Sequence, residues 1–190
     1  FYRETNFKET PIGKIPREWD IIKIGQILKL KNGQRPKISD KGTIPIFGAN
    51  GIMGFTDDAL VENEFTLIIG RVGASGQIHL GRGKIWVSDN AIYSEEYNKS
   101  RIHLPFLYYM LAYKKLERYA FKTTHPIITQ TFLNNFLVPL PPIHEQQKIV
   151  EALSCVDSVL RLKKKKKEKL VRMKRCLMDL LLTGKVRVRL

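Results

Sequence analysis

The feature that most constrains this chain is a run of 40 residues, from Ile143 to Leu182, that contains neither glycine nor proline. A helix over that span is on the order of 60 Å long, more than one globular core of this size requires. Ile149, Leu153, Val156, Leu160, Leu170, Leu177 and Leu181 fall on one alternating four-three register. That spacing is the seam of a coiled coil, and it demands a partner helix. The seam is interrupted where Lys163 and Lys167 take its positions inside the run KKKKKEK. Two readings of the run stay open. Its aliphatic stems can cover the seam while the ammonium groups reach water, or the charges can meet phosphates or an acidic partner surface.

The residues before this helix have another texture. IIKIGQILKLKNG, IPIFG, FTLIIG, GQIHL, KIWVS and NAIYS read as short strands bounded by glycines or polar turns. One helix interrupts them at LPFLYYMLAYKKLERYA, with Leu104, Leu107, Tyr108, Leu111, Leu116 and Tyr119 at three- and four-residue steps and Pro105 in its first turn. A shorter helical piece is expected from Thr129 to Asn134, followed by a strand from Phe136 to Val138. Pro139, Pro141 and Pro142 then stiffen an extended arm into the long helix, where Glu145 lies near the positive end of the dipole. The expected fold class is α+β: a mixed, β-rich domain over residues 1–142, a long coiled-coil helix over 143–182 and a tail over 183–190.

Charge narrows the partners. The net charge is +15, and residues from Ile143 onward hold 14 Lys or Arg against 5 Asp or Glu. Such a balance favours polyanions, nucleic acid before membrane, because binding releases condensed counterions. No run of about 18 apolar residues occurs, and the opening FYRETNFKET carries neither a hydrophobic signal core nor an initiator Met. Cys155 and Cys176 fall far apart within the helix, the usage of a reducing compartment. A cytoplasmic chain is expected.

Three loop sets carry candidate contact residues. Arg71, Gly73 and Ser75, with Gly70 and Gly76, form a turn between two strands, where small residues let the backbone approach a partner closely: a phosphate could sit there, or Arg71 could instead read a guanine edge through two parallel hydrogen bonds. Lys122, Thr123, Thr124, His125, Thr129 and Gln130 offer hydroxyl and amide groups suited to base edges and phosphates. Gln34, Arg35, Lys37, Lys41 and Asn50 form the third set. Each also has a plainer reading: an ordinary β-turn with an exposed arginine, helix capping and turn chemistry, and surface solubility residues. Trp19 and Trp86 are expected at the core or its edge rather than as stacking platforms.

Catalytic motifs fail at specific positions. HEQQK begins like a zinc-protease motif, but Lys148 stands where the second histidine belongs. The four histidines are scattered and no cysteine pair has zinc spacing. Gly76 to Gly81 has phosphate-loop glycine spacing, yet Arg82 and Gly83 replace the required Lys and Ser or Thr. PLPPI lacks the Asn or Asp of a methyltransferase motif. No catalytic residue, metal or cofactor is expected in this chain.

PLPPIHEQQKIV, followed by a lysine-rich heptad helix and LLTGKVRV, resembles the conserved region of type I restriction-modification specificity subunits. IGKIPREWDIIKIGQI resembles the start of a target recognition domain of that family, and IIGRVGASGQI, WVSDNAIY and TTHPIITQTFLNN resemble its interior. The resemblance implies a non-catalytic subunit that selects the DNA target. Its partners would be methyltransferase subunits using S-adenosylmethionine and restriction subunits using ATP and Mg. Full-length members carry two recognition domains and two conserved helices, whereas one of each is expected here, in a half-subunit or a fragment of a longer chain. A homodimer through the long helix would then read a symmetric, split target. Two other functions remain in view: a stand-alone dimeric DNA-binding regulator, and a basic coiled-coil adaptor.

Overall fold

In a computed structural model, residues 5–120 and 127–188 are described, and they divide into two compact units, residues 1–148 and 149–190. The first unit contains β1 (Phe7–Lys8), β2 (Ile15–Pro16), β3 (Asp20–Lys23), β4 (Leu28–Asn32), β5 (Ile44–Gly48), β6 (Gly51–Thr56), β7 (Val61–Gly70), β8 (Ile78–Val87) and β9 (Ala91–Tyr97). These are followed by α1 (Leu104–Lys114), α2 (Gln130–Asn135) and β10 (Leu137–Leu140). The long helix α3 (Ile143–Leu182) starts in this unit and makes up most of the second.

Six strands form one mixed sheet in the order β4-β9-β7-β8-β5-β6, antiparallel except where β5 runs parallel to β8. β1 pairs with β2 and β10 with β3 in two separate antiparallel two-stranded sheets. The centre of β7 is buried on both faces because alternate side chains serve opposite faces of a strand. Ile68 joins Ile85, Val87, Ala91 and Tyr93 in one cluster, with Phe47, Leu60 and Val61 packed against it. Leu67 and Ile69, one residue out of phase, are equally inaccessible, and α1 crosses β7 and β8 with Leu104, Leu107 and Leu111 buried. At about 25 cal/mol per Å² of apolar surface removed from water, these branched side chains dominate the stabilisation of the unit.

Several elements differ from the sequence pattern. IIKIGQILKL is two strands, split by a 3₁₀ turn over Ile24–Gln26. There the Lys23 N–H donates to the Gln26 side chain, the Ile24 N–H donates to the Phe136 carbonyl at 3.0 Å, and Gly25 lies against Asn134. GQIHL and KIWVS fuse into the single strand β8, which passes through Gly83 at φ +67°. The helix expected to continue to Ala120 stops at Lys114. Lys115 adopts φ +52°, which an L-residue tolerates only with strain, and a 3₁₀ turn over Leu116–Tyr119 buries Leu116 completely. A continuous helix would carry Glu117 away from Gly76, whose missing Cβ would stand 2.5 Å from the Glu117 backbone. β6 had no signal in the pattern.

The first turns of α3 are fastened within the first unit by its HEQQ segment. Gln146 is fully buried. Its side-chain oxygen accepts from the His103 N–H at 2.8 Å, and its amide donates to the carbonyls of Arg101 at 2.9 Å and Pro141 at 2.8 Å. Glu145, expected only to complement the helix dipole, accepts from the Trp19 indole at 3.0 Å. Burial holds the His103 imidazole below its ordinary pKa, opposed by the charge of Glu64. Within the second unit, Leu153, Val156, Leu160, Leu170, Leu177 and Leu181 are each between 40% and 57% exposed, and Ile149 is half-buried. Gly184, at φ +73°, follows the end of the helix.

Candidate nucleic-acid interface

Four segments of the first unit meet around the residues Ser88 to Ala91. Gly33 donates to the Ala91 carbonyl at 2.9 Å and Gln34 to the Val87 carbonyl at 2.9 Å. Ser88 donates to the Phe47 carbonyl at 2.8 Å, and Arg71 donates to the Asn90 carbonyl at 2.8 Å. Close backbone contact explains the glycines. A Cβ on Gly33 would stand 2.1 Å from the Ser88 carbonyl oxygen, and one on Gly70 would stand 2.2 Å from that of Ala74 and 2.9 Å from that of Ala49. Trp86 closes the junction by donating its indole N–H to the Gln34 carbonyl at 2.9 Å, and the His79 ring nitrogen lies 3.1 Å from the Ala49 carbonyl.

This network brings parts of all three candidate sets together. Gln34, Arg35 and Asn50 are exposed beside the junction. Lys37 and Lys41 are exposed on the loop that runs along β6, where Ser39 donates to the Phe55 carbonyl at 2.9 Å. Arg71 is half-buried and fixed through its backbone. Its N–H is bound to Asn90, and its carbonyl accepts from the Ile128 N–H at 3.1 Å and from the Ser75 hydroxyl at 2.6 Å. Gly73, at φ +83°, is exposed at the tip of the turn. Ser75 is only 7% exposed, and its hydroxyl donates to the Arg71 carbonyl within the turn.

Thr129 and Gln130 join the same neighbourhood through the bridge between Val72 and Ile127. The Thr129 hydroxyl accepts from the Phe132 N–H at 3.1 Å and so caps α2. Lys122, Thr123, Thr124 and His125 lie outside the described residues. The residues that sequence reasoning missed are Ser88, Asn90 and Ala91, whose backbones organise the junction, together with His79. WVSDNA held a faint signal in its turn-forming Asp89 and Asn90, but the use of their carbonyls is fixed by strands distant in sequence.

The chemistry available here is hydrogen bonding and charge. Among the described residues no group of three or more His, Cys, Asp or Glu is placed to hold a metal ion, and no helix is long and apolar enough to cross a membrane. A charge ladder runs between β4 and β9 at the sheet's surface. Lys31 and Lys29 hold the Glu95 carboxyl below its ordinary pKa, and Glu95 and Glu96 raise that of Lys29. Exposed pairs of this kind add little to stability, because water and salt screen them.

A family model described as the type I restriction modification DNA specificity domain matches residues 16–172. Two relatives from Methanocaldococcus jannaschii are named as specificity subunits of the type I restriction enzymes MjaX and MjaVIII. They are 28% and 26% identical over 99% of this chain, and the match covers 48% and 51% of their own lengths. Among solved structures, the S subunit of a type I restriction-modification system from M. genitalium superposes with a TM-score of 0.67 at 23% identity, covering 85% of this chain and 44% of that one. The HsdS subunit from Thermoanaerobacter tengcongensis superposes with a TM-score of 0.60 at 20% identity, over 92% and 47%. The chain spans about half the length of these relatives.

Proposed function

The chain belongs to the type I restriction modification DNA specificity domain family, and from that premise we propose that it reads one half-site of a split DNA target on behalf of methyltransferase and restriction subunits. The observation that carries this reading is the junction around Ser88 to Ala91, which mounts Arg71, Gln34, Arg35 and Asn50 on one rigid backbone network. An over-determined backbone fixes where each side chain starts, so recognition of a base edge has to order only side-chain rotamers and not the loop as well. The chain supplies target choice without a cofactor of its own. Methyl transfer from S-adenosylmethionine and ATP- and Mg-dependent cleavage fall to its partners, and a role on cellular DNA implies a cytoplasmic location.

Arg71 tests the reading directly. Arg71→Ala is expected to lower affinity for the target by about 1–3 kcal/mol, or roughly 5- to 150-fold, with discrimination relaxed at one base pair of each half-site. Fluorescence-anisotropy titrations against duplexes varied one base pair at a time measure it. A uniform weakening across all sequences would make Arg71 a phosphate contact, and an unchanged affinity would remove it from the interface.

The exposed seam of α3 calls for a second helix, which this reading assigns to a second copy of the chain in antiparallel orientation. With the two-fold axis at Lys165, Leu160 faces the partner's Leu170, Leu153 its Leu177, Ile149 its Leu181 and Val156 its Lys174, so every seam position finds another. Two-fold symmetry in the protein implies two-fold symmetry in the target. Like charges then meet at the centre, so dimerisation is expected to strengthen with added salt while DNA binding weakens. Light scattering and anisotropy across a salt series measure both, and a monomer at micromolar concentration, alone and with the methyltransferase subunit, would contradict the pairing.

The exposed cysteines report the orientation. Cys155 and Cys176 are three heptads apart. In the antiparallel register, Cys155 of one chain lies level with Cys176 of the other to within one residue, while two copies of Cys155 are on the order of 30 Å apart along the axis. A long-arm bis-maleimide is expected to join Cys155 to Cys176 between chains, as read by peptide mass spectrometry. Cys155-to-Cys155 products would instead mean parallel helices.

A further inference from the structure

The run Lys163–Lys167 has so far entered only as repulsion at the dimer centre, with no binding role. Its five side chains are exposed, and the ion pairs of the described residues lie elsewhere. Successive residues of an α-helix are rotated by about 100°, so five in a row distribute ammonium groups around the whole circumference. The run is a collar, not a stripe. Any face of the helix at this level presents lysine.

Symmetry fixes where the collar lies. This step rests on the proposed antiparallel dimer and split target. A symmetric dimer on a symmetric target has one two-fold axis. That axis passes through the middle of the spacer between the half-sites and, in the seam register given above, between the two helices at the level of Lys165. The collars of both chains therefore lie on the line that runs through the spacer's midpoint, whatever the tilt of the helices. Ten lysines gather there within about 6 Å of helix axis, a concentration of charge that a neutral or acidic-poor surrounding would leave mutually repelled. Duplex DNA supplies the complement, with one phosphate charge per about 1.7 Å of its length.

We propose that the Lys163–Lys167 collar is a sequence-independent phosphate site for the DNA backbone of the spacer. It would place the dimer over the bases that neither recognition domain reads. Lys163 and Lys167 hold seam positions, so Lys164, Lys165 and Lys166 are the residues free to reach phosphates without disturbing helix pairing.

The test uses the full chain with its methyltransferase subunit and a duplex carrying the split target selected from a random pool. The triple variant Lys164→Gln/Lys165→Gln/Lys166→Gln is expected to remain dimeric and to select the same motif. Its plot of log affinity against log salt should be shallower by about 0.9 for each phosphate that the variant no longer neutralises, up to about 5 for six lysines. Neutral methylphosphonate linkages in the spacer should weaken binding by the wild-type protein and leave the variant unaffected. An unchanged salt slope overturns the proposal. So does loss of methyltransferase binding with the DNA slope intact, which would make the collar a protein contact. Failure of the underlying reading looks different: the wild-type complex would itself select no split motif.

Discussion

Replacing Gln146 with leucine is expected to destabilise the first compact unit by roughly 3–5 kcal/mol, a large part of the stability of a domain this size. Leucine matches much of the volume but leaves the Pro141 carbonyl, which is buried, and the His103 N–H and Arg101 carbonyl, which are partly buried, without the partner that Gln146 gives them. An orphaned buried polar group costs about 1–3 kcal/mol, and here one buried group and two partly buried ones lose their partner at once. Gln146→Glu keeps the acceptor for His103 but loses both donors and introduces a buried charge, so it should be no milder. Gln147→Leu, at the exposed neighbouring position, is the control and should be close to neutral. Urea unfolding measures all three. A Gln146→Leu midpoint equal to wild type would show that these bonds are not what fastens the start of α3.

The second large effect is expected from the helix seam. Leu160→Lys combined with Leu170→Lys removes two facing apolar layers and extends the lysine collar to both sides. Each buried leucine contributes about 1.5–3 kcal/mol, and the dimer would lose four. The variant should be monomeric at micromolar concentration by light scattering. The first unit should unfold as in the wild type, since both residues are exposed and belong to the other unit. Affinity for the split target should fall by about 10²- to 10⁴-fold, because the second half-site becomes a separate binding event. A dimer that survives both substitutions would refute the seam register.

These two effects mark what was legible in the sequence and what was not. The helix α3 could be read residue by residue because its seam is local: a repeat of three and four, uninterrupted by glycine or proline, states its own period. Thr129 as the start of α2 was legible for the same reason, since a cap acts three residues away. Gln146 was not, because its importance comes from Arg101 and His103, more than 40 residues distant. The break in α1 at Lys115 was hidden by a good helical period that runs through it; the close approach of Glu117 to Gly76 overrides that period. Fusion of two expected strands into β8 follows from pairing with β7 on one side and β5 on the other, which no local pattern encodes.

The candidate interface shows the same division. Turn glycines and exposed basic residues marked the loops correctly as turns, and the resemblance to specificity subunits gave those loops their expected role. The sequence did not reveal that the segments around Gly33, Phe47, Gly70 and Asn90 converge, because that depends on backbone hydrogen bonds between residues tens of positions apart. Nor could it show that the Ser75 hydroxyl donates to the Arg71 carbonyl while the Arg71 N–H donates to Asn90.

The most direct test of target reading is selection. The purified chain, mixed with its methyltransferase subunit and a pool of random duplexes, is used to retain bound DNA for sequencing at physiological salt. The expected result is enrichment of a palindromic motif in two short blocks at a fixed spacing. Retention without any enriched motif would contradict the account and leave a basic coiled-coil adaptor in its place.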